Sequence, residues 1–311
     1  MTVAVSLEQL QPVLRDLGVA APVAATAMAG GSAPVFRIDL KDGTALVLKT
    51  YPDDRPWTPR KDAYAASLLA GLDLPVTRTL QWDESRTRLP FRFAIINYLP
   101  GATADALKDD PDIVDVYRQM GALLKRLHTV RMPTYGSIGP DGVVNPHADN
   151  AAFMRAMFDE HFRHFQDWGG DAALTDRLRR VADARFAPVT HSNGPVFGHD
   201  DMHPGNVLAA RGADGRLRLT GLIDFGNARA VDPLFDLSKS IFCSAHMDPR
   251  SAAAIREGYG ALHHPDPDGA LWLYTLLHRV MMWWWIRRVG GKPDEGSLPG
   301  LMRDLEAMAA Q

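Results

Sequence analysis

Two periods of apolar and polar residues divide this chain. Residues 6–18 carry apolar side chains at the spacing of a short amphipathic helix. Gly30, Gly31 and Ser32 then introduce strict alternation, in which Phe36, Ile38 and Leu40 are separated by Arg37 and Asp39. That is the pattern of a half-buried strand. Asp42-Gly43 predicts a tight hairpin turn, with a return strand from Ala45 to Lys49. A helix is expected from about Lys61 to Ala70, an extended piece from Pro75, and a buried strand in the apolar run Phe91 to Tyr98. Leu99, Pro100 and Gly101 break that strand, and helical spacing takes over. Asp110-Pro111 predicts a cap with proline in the first turn. Ile113, Val116, Tyr117, Met120, Leu123, Leu124 and Leu127 follow on one helical face. Further helices are expected over 151–166, 172–186, 250–262, 268–289 and 299–310. A strand-rich island interrupts them at about 196–226.

These elements predict an α+β fold of two lobes. The smaller, β-rich lobe covers residues 1–98 and the larger, mostly helical lobe covers residues 99–311, with a hinge at the break. Clefts between lobes are common ligand sites.

Composition narrows the function classes. The chain has 311 residues, enough to bury a sizeable core without disulfides or metals. Its net charge of −3 carries no footprint for nucleic acid. The single cysteine, Cys243, excludes an internal disulfide and sits in an apolar stretch as a small buried hydrophobe would. The start of the chain has no signal-peptide pattern, since Glu8 and Asp16 come early. The stretch from Ala270 to Val289 is rich in tryptophan, but His278, Arg279, Arg287 and Arg288 interrupt it. Charges at mid-helix are costly in lipid, so a buried or pocket-lining helix is expected and no membrane span. The expected location is the cytoplasm.

The densest chemistry lies in the island. His199, Asp200, Asp201, Met202, His203, Pro204, Gly205 and Asn206 are followed by a hairpin and then by Ile223, Asp224, Phe225 and Gly226. A hairpin folds its ends together, so Asn206 and Asp224 should become neighbours. Two carboxylates and an amide are hard oxygen donors, suited to Mg²⁺ rather than zinc. Phosphoryl transfer needs metal on the phosphates, a group to orient the attacking hydroxyl, and a cation. Asp224 and Asn206 fit the metal role, Asp201 the hydroxyl, and Lys49 the cation. Singly, each has a plainer reading as a cap, an Asx-turn or a solvated lysine. The joint spacing is what points to ATP- and Mg²⁺-dependent phosphoryl transfer.

At these residues the chain resembles the aminoglycoside phosphotransferase family, of protein-kinase-like fold, with choline kinases and fructosamine kinases as relatives. The resemblance runs from about Gly30 to Trp285. It implies a nucleotide loop at Gly30, Gly31 and Ser32, a phosphate-binding Lys49, a catalytic Asp201, and magnesium ligands Asn206 and Asp224. It also implies that the backbone of Asn97, Tyr98 and Leu99 holds the adenine. Leu127-His128 resembles the end of the helix after the hinge. Structural support would come from His199 and from Asp236, which would brace the catalytic loop through its backbone. Asp62 is the nearest candidate for the acid that pairs with the lysine, although an acid there also suits a helix N-terminus. Two departures stand out. Asp200 occupies a position where the family commonly has glycine, and Met202 replaces a leucine. His203 could line the site or bond a turn.

Three rivals compete with this reading. A protein kinase would carry a G-x-G-x-x-G loop and a long activation segment ending in Ala-Pro-Glu. Here nine residues separate Gly226 from Asp236, and no such motif follows. A metal-dependent phosphohydrolase could use His199-Asp200 as a metal pair, but the Pro204-Gly205 break argues against ligands set on a helix. A nucleotide-binding protein without catalysis is the third. The acceptor implied is a small hydroxylated molecule: an aminoglycoside or other antibiotic, an amino alcohol or a sugar. A cationic aminoglycoside would want an acidic cleft, for which Asp159, Glu160, Asp167 and Asp171 are candidates. Trp272, Trp283, Trp284 and Trp285 could stack a sugar or cage an amine. Successive helical residues point about 100° apart, so at least one of the three consecutive tryptophans belongs to the core.

Overall fold

The structure is a computed structural model that describes residues 5–28, 33–53 and 58–311. The expected nucleotide loop at Gly30, Gly31 and Ser32 lies outside the described residues. The fold is α+β, with antiparallel strands in the N-terminal part and helices dominating after residue 110. The chain divides into two compact units, one of residues 1–119, 138–144 and 204–228 and the other of residues 120–137, 145–203 and 229–311.

The first unit opens with helix α1 (Leu7–Asp16), started by a capping box in which Ser6 and Gln9 satisfy each other's backbone N–H. Its apolar face of Leu10, Val13 and Leu14 is buried against Phe36, Ile38, Leu48, Phe93 and Ile95 of a sheet. That antiparallel sheet runs in the order β1 (Pro22–Ala27), β2 (Val35–Leu40), β3 (Ala45–Tyr51), β5 (Arg92–Asn97), β4 (Thr79–Asp83). The Asp42-Gly43 hairpin forms as expected. Gly43 takes φ +85°, a conformation open to glycine, and Asp42 Oδ1 accepts the Thr44 N–H at 3.0 Å. Strand β1 was not anticipated. Its sequence, Pro-Val-Ala-Ala-Thr-Ala, has little apolar contrast because it is an edge strand, and proline is tolerated at its start.

Helix α2 (Pro59–Ser67) begins two residues before the expected Lys61 and ends three short of Ala70. Thr58 caps it by accepting the Lys61 N–H, and Pro59 fills the first turn. By contrast, Asp110-Pro111 forms a turn ahead of helix α3 (Ile113–Leu127), not its first turn. There Asp110 accepts the Asp112 N–H and two hydrogen bonds from Arg211. The unit also contains the hairpin of β10 (Val207–Arg211) and β11 (Leu217–Leu222), with β6 (Ala102–Thr103) along the outer side of β10.

In the second unit, β7 (Tyr135–Ile138) pairs with β12 (Arg229–Val231), which pairs with β9 (Val196–Gly198); β8 (Val143–His147) lies outside β7. Helices α4 (Asn150–Asp167), α5 (Ala172–Ala184), α7 (Arg250–Tyr259), α8 (Pro267–Arg288) and α9 (Leu298–Ala309) match the expected helical stretches to within a few residues. One more, α6 (Pro233–Met247), lies where only a motif had been read. Its signal was present, since Asp232 caps it and Pro233 occupies its first turn. Among the described residues no helix is long and apolar enough to cross a membrane. Within α8, Trp283, Trp284 and His278 are buried, and Trp285 is partly exposed, as the 100° spacing required. Cys243 is buried, and burial pushes its thiol up to about 12, which leaves it protonated and inert.

Candidate active site

The first unit holds the candidate phosphate and metal residues. Lys49 lies on the central strand β3, in register with Val35 and Ala94 on either side. Its ammonium donates to Asp62 Oδ2 at 2.7 Å and to Asp224 Oδ1 at 2.9 Å. The Tyr51 hydroxyl donates to the same Asp62 oxygen at 2.7 Å. Asp62 is thus both in the first turn of α2 and the partner of Lys49; the two readings of its charge are compatible. Burial alone would lower the Lys49 pKa, but Asp62, Tyr51 and Asp224 outweigh it and hold the ammonium well above its usual 10.5. Lys49 is therefore cationic across the physiological range.

The β10–β11 hairpin does what its spacing predicted. The Ile223 N–H donates to the Asn206 carbonyl at 3.0 Å, which sets Asn206 and Asp224 at one end of the hairpin. Asp224 is half exposed and adopts φ +67°, a conformation unfavourable for a residue with a Cβ. Its Oδ1 also accepts the Gly226 N–H at 3.3 Å. A carboxylate and an amide are hard oxygen donors and fit Mg²⁺. Among the described residues no group of three His, Cys, Asp or Glu side chains forms a metal cage. A sparse donor set suits an ion that commonly keeps waters and phosphate oxygens in its shell. Asn97 ends β5 and accepts the Arg78 N–H, while the Tyr98 ring lies 4.5 Å under the Arg37 guanidinium.

The second unit holds the candidate catalytic residue Asp201 and the brace of its loop. Asp236, fully buried on α6, accepts the backbone N–H groups of His199 and Asp200 at 2.8 Å each. His128 Nε2 donates to the same carboxylate at 3.1 Å, and His128 Nδ1 meets the Tyr259 hydroxyl at 2.8 Å. Burial opposes ionisation of Asp236, but the hydrogen bond and charge of His128, with His199 and the Asp200 N–H, hold its carboxyl below 3.8. Gly198 makes this approach possible. A Cβ there would lie 3.1 Å from Asp236 Oδ2 and 2.5 Å from the Val231 side chain. The next residues depart from regular backbone, and Asp200 takes φ +54°. Asp201 is partly exposed, and His203 Nε2 stands 3.9 Å from its Oδ1, too far for a hydrogen bond.

Asp200 points inward. It is almost fully buried and accepts from Arg229 Nε at 2.6 Å. Strand pairing explains the match, because Arg229 sits opposite Gly198 across β12 and β9. Burial pushes the Asp200 carboxyl above 3.8, and Lys239 and Arg229 offset only part of that. Sequence reasoning missed Arg229, Lys239, Tyr51 and Tyr259. For Arg229 a signal existed: an extra acid in a buried loop requires a cation.

The model of the phosphotransferase enzyme family matches residues 25–273. The chain belongs to that family. The structure of this phosphotransferase is similar to that of aminoglycoside phosphotransferase APH(4)-Ia, with 18% identity, a TM-score of 0.71, and 98% of this chain and 99% of that one covered. A thermostable mutant of APH(4)-Ia has been crystallised in a ternary complex with ADP and hygromycin B. Choline kinase LicA from Streptococcus pneumoniae is similar at 14% identity and a TM-score of 0.63, covering 97% of this chain and 96% of that one. At this identity the likeness shows the fold, which is that of these kinases. No curated protein matches the sequence closely.

Three of the acids considered for a cationic acceptor have local partners in the phosphotransferase. Asp159 pairs with Arg179 on the surface, Asp167 faces Arg163, and Asp171 caps α5.

Proposed function

We propose that this phosphotransferase transfers the γ-phosphoryl group of ATP, with Mg²⁺, to a hydroxyl group of a small molecule. The observation that carries this reading is the Lys49 ammonium, fixed between Asp62 on α2 and Asp224 beyond β11. A cation pinned beside an exposed carboxylate is the arrangement phosphoryl transfer requires. In this reading Lys49 binds phosphate oxygens, and Asp62 and Tyr51 hold it in position. Asp224 and Asn206 would hold Mg²⁺, which when bound neutralises charge on the phosphates. Gly30, Gly31 and Ser32 would cover the phosphates, and the backbone of Asn97, Tyr98 and Leu99 would take the adenine. Residues 1–98 are then the nucleotide lobe and residues 99–311 the catalytic and acceptor lobe. An enzyme that consumes ATP belongs where ATP is made, which favours the cytoplasm.

Asp201 orients the acceptor hydroxyl and accepts its proton late, as the new O–P bond forms and the bond to ADP breaks. Its partial exposure supports that role, since a substrate can reach it. Asp236 and His128 act through the loop and not on the substrate. The acceptor is a small hydroxylated compound such as a sugar, an amino alcohol or an antibiotic; APH(4)-Ia, crystallised with hygromycin B, and choline kinase are related precedents.

The test is ADP release from Mg-ATP across a panel of such acceptors. We expect Asp201→Ala to lower turnover at least 10²-fold while nucleotide affinity stays within about twofold. Asp224→Ala should lose magnesium-dependent nucleotide affinity. Full turnover by Asp201→Ala, or unchanged Mg-ATP affinity in Asp224→Ala, overturns the respective assignment.

A further inference from the structure

Two cations of the second unit, Arg229 and Lys239, converge on one buried carboxylate beside the loop. Asp200 is the shared partner. Arg229 takes its Oδ2 at 2.6 Å, and Arg229 Nη1 is further held by Ser137 Oγ at 3.2 Å. Lys239, one turn along α6 from Asp236, reaches only to 3.8 Å from Asp200 Oδ1. That is an ion pair but not a hydrogen bond. Its side chain is 12% exposed, and among the described residues no acceptor lies within hydrogen-bonding distance of its ammonium. The ammonium is thus a part-buried cation whose three donors are open to solvent or to a ligand.

Besides Asp200 and Asp201, the groups around the ammonium are not carboxylates. α4 contributes His161, α8 contributes His278, and α6 contributes Cys243 alongside. Burial and the nearby positive charges keep both histidines neutral, well below their usual 6.5. Burial would also discharge Lys239, but Asp200, Cys243 and Asp201 outweigh it and keep it cationic. Asp201 is among the charges that act on Lys239, so the ammonium lies within electrostatic reach of the candidate catalytic base.

We propose that Lys239 is a specificity-determining residue that selects an acceptor bearing an anionic group, a carboxylate or a phosphate, close to the hydroxyl that is phosphorylated. This rests on the function proposed above and narrows its acceptor class. An acceptor anion would take the donors of an ammonium that no protein oxygen approaches closer than 3.8 Å. A polycationic acceptor meets repulsion at the same point.

The experiment compares wild type, Lys239→Met and Lys239→Arg. ADP release is measured with hydroxy acids, sugar phosphates, neutral sugars, amino alcohols and aminoglycosides. The expected result is turnover favouring an anionic acceptor. Its KM should rise at least tenfold in Lys239→Met and recover in Lys239→Arg, with the KM for ATP as internal control. The hydroxy acids and sugar phosphates separate the two sources of the anion. A cationic or neutral best acceptor overturns the proposal, as does an unchanged KM in Lys239→Met. Lys239→Gln replaces the methionine variant if that one does not fold. Inorganic sulfate serves as a second probe, titrated with and without saturating Mg-AMP-PNP. Sulfate binding weakened at least tenfold in Lys239→Met supports the proposal even if every acceptor is silent, and equal binding overturns it. Failure to bind Mg-ATP is read separately and counts against the phosphotransfer mechanism alone.

Discussion

Asp236 shows how much one carboxylate can fix. It accepts three hydrogen bonds with no exposure to solvent, and two of them come from consecutive backbone N–H groups of the loop. Asp236→Asn keeps the shape but loses the charge and presents an N–H₂ group to a donor. We expect a loss of about 2–4 kcal/mol, measured by urea unfolding at neutral pH. The pH dependence has a definite sign. The folded carboxyl titrates below the usual 3.8, so its stabilisation is complete above that value and fades as pH falls through the folded pKa. The gap in stability between wild type and Asp236→Asn should therefore narrow as pH falls below 3.8. A constant difference down to pH 2 would show that the charge is not what stabilises the loop. Asp200 has the opposite sign, since its raised carboxyl contributes stability below 3.8 that is lost as pH rises through the folded value.

At the scale of elements, close approaches replace side-chain bulk. Gly121 of α3 lies against α7, where a Cβ would come within 2.1 Å of the Ile255 carbonyl oxygen. Gly121→Ala forces the helices apart, and we expect a cost of at least 1–3 kcal/mol, seen as a lower Tm. An unchanged Tm would mean that α7 shifts freely. The same scale shows what was legible in the chain. Strands β2, β3 and β5 were, because one face is buried and alternation records it. The β10–β11 hairpin was also legible, with the meeting of Asn206 and Asp224 that follows from it. Strand β1 was not, because an alanine-rich edge strand leaves no period to read. Helix α6 was hidden by its own burial: most of its residues face protein, so it has no polar stripe. The Lys49–Asp62 pair was suggested by resemblance; the extra acid Asp200 called for a cation, but which residues answer it was not legible, since they come from a strand and a helix.

For the molecule as a whole, ligand binding and stability are linked. A nucleotide that binds only the folded protein stabilises it by about 2.7 kcal/mol at a hundred times its Kd. A chain of this length should then gain several degrees in Tm with Mg-AMP-PNP. We expect that gain in wild type and its loss in Lys49→Met, by differential scanning calorimetry. An equal gain in both would remove Lys49 from the phosphate site. The path of the chain through its two units has a further consequence. The second unit is assembled from residues 120–137, 145–203 and 229–311, so five junctions separate it from the first, after residues 119, 137, 144, 203 and 228. The fourth junction falls inside the loop, between Asp201 and Asn206. A single recombination event cannot exchange one unit and spare the other. On the proposed function, substitution in place, at positions such as Lys239, is a shorter route to a new acceptor preference than the exchange of modules.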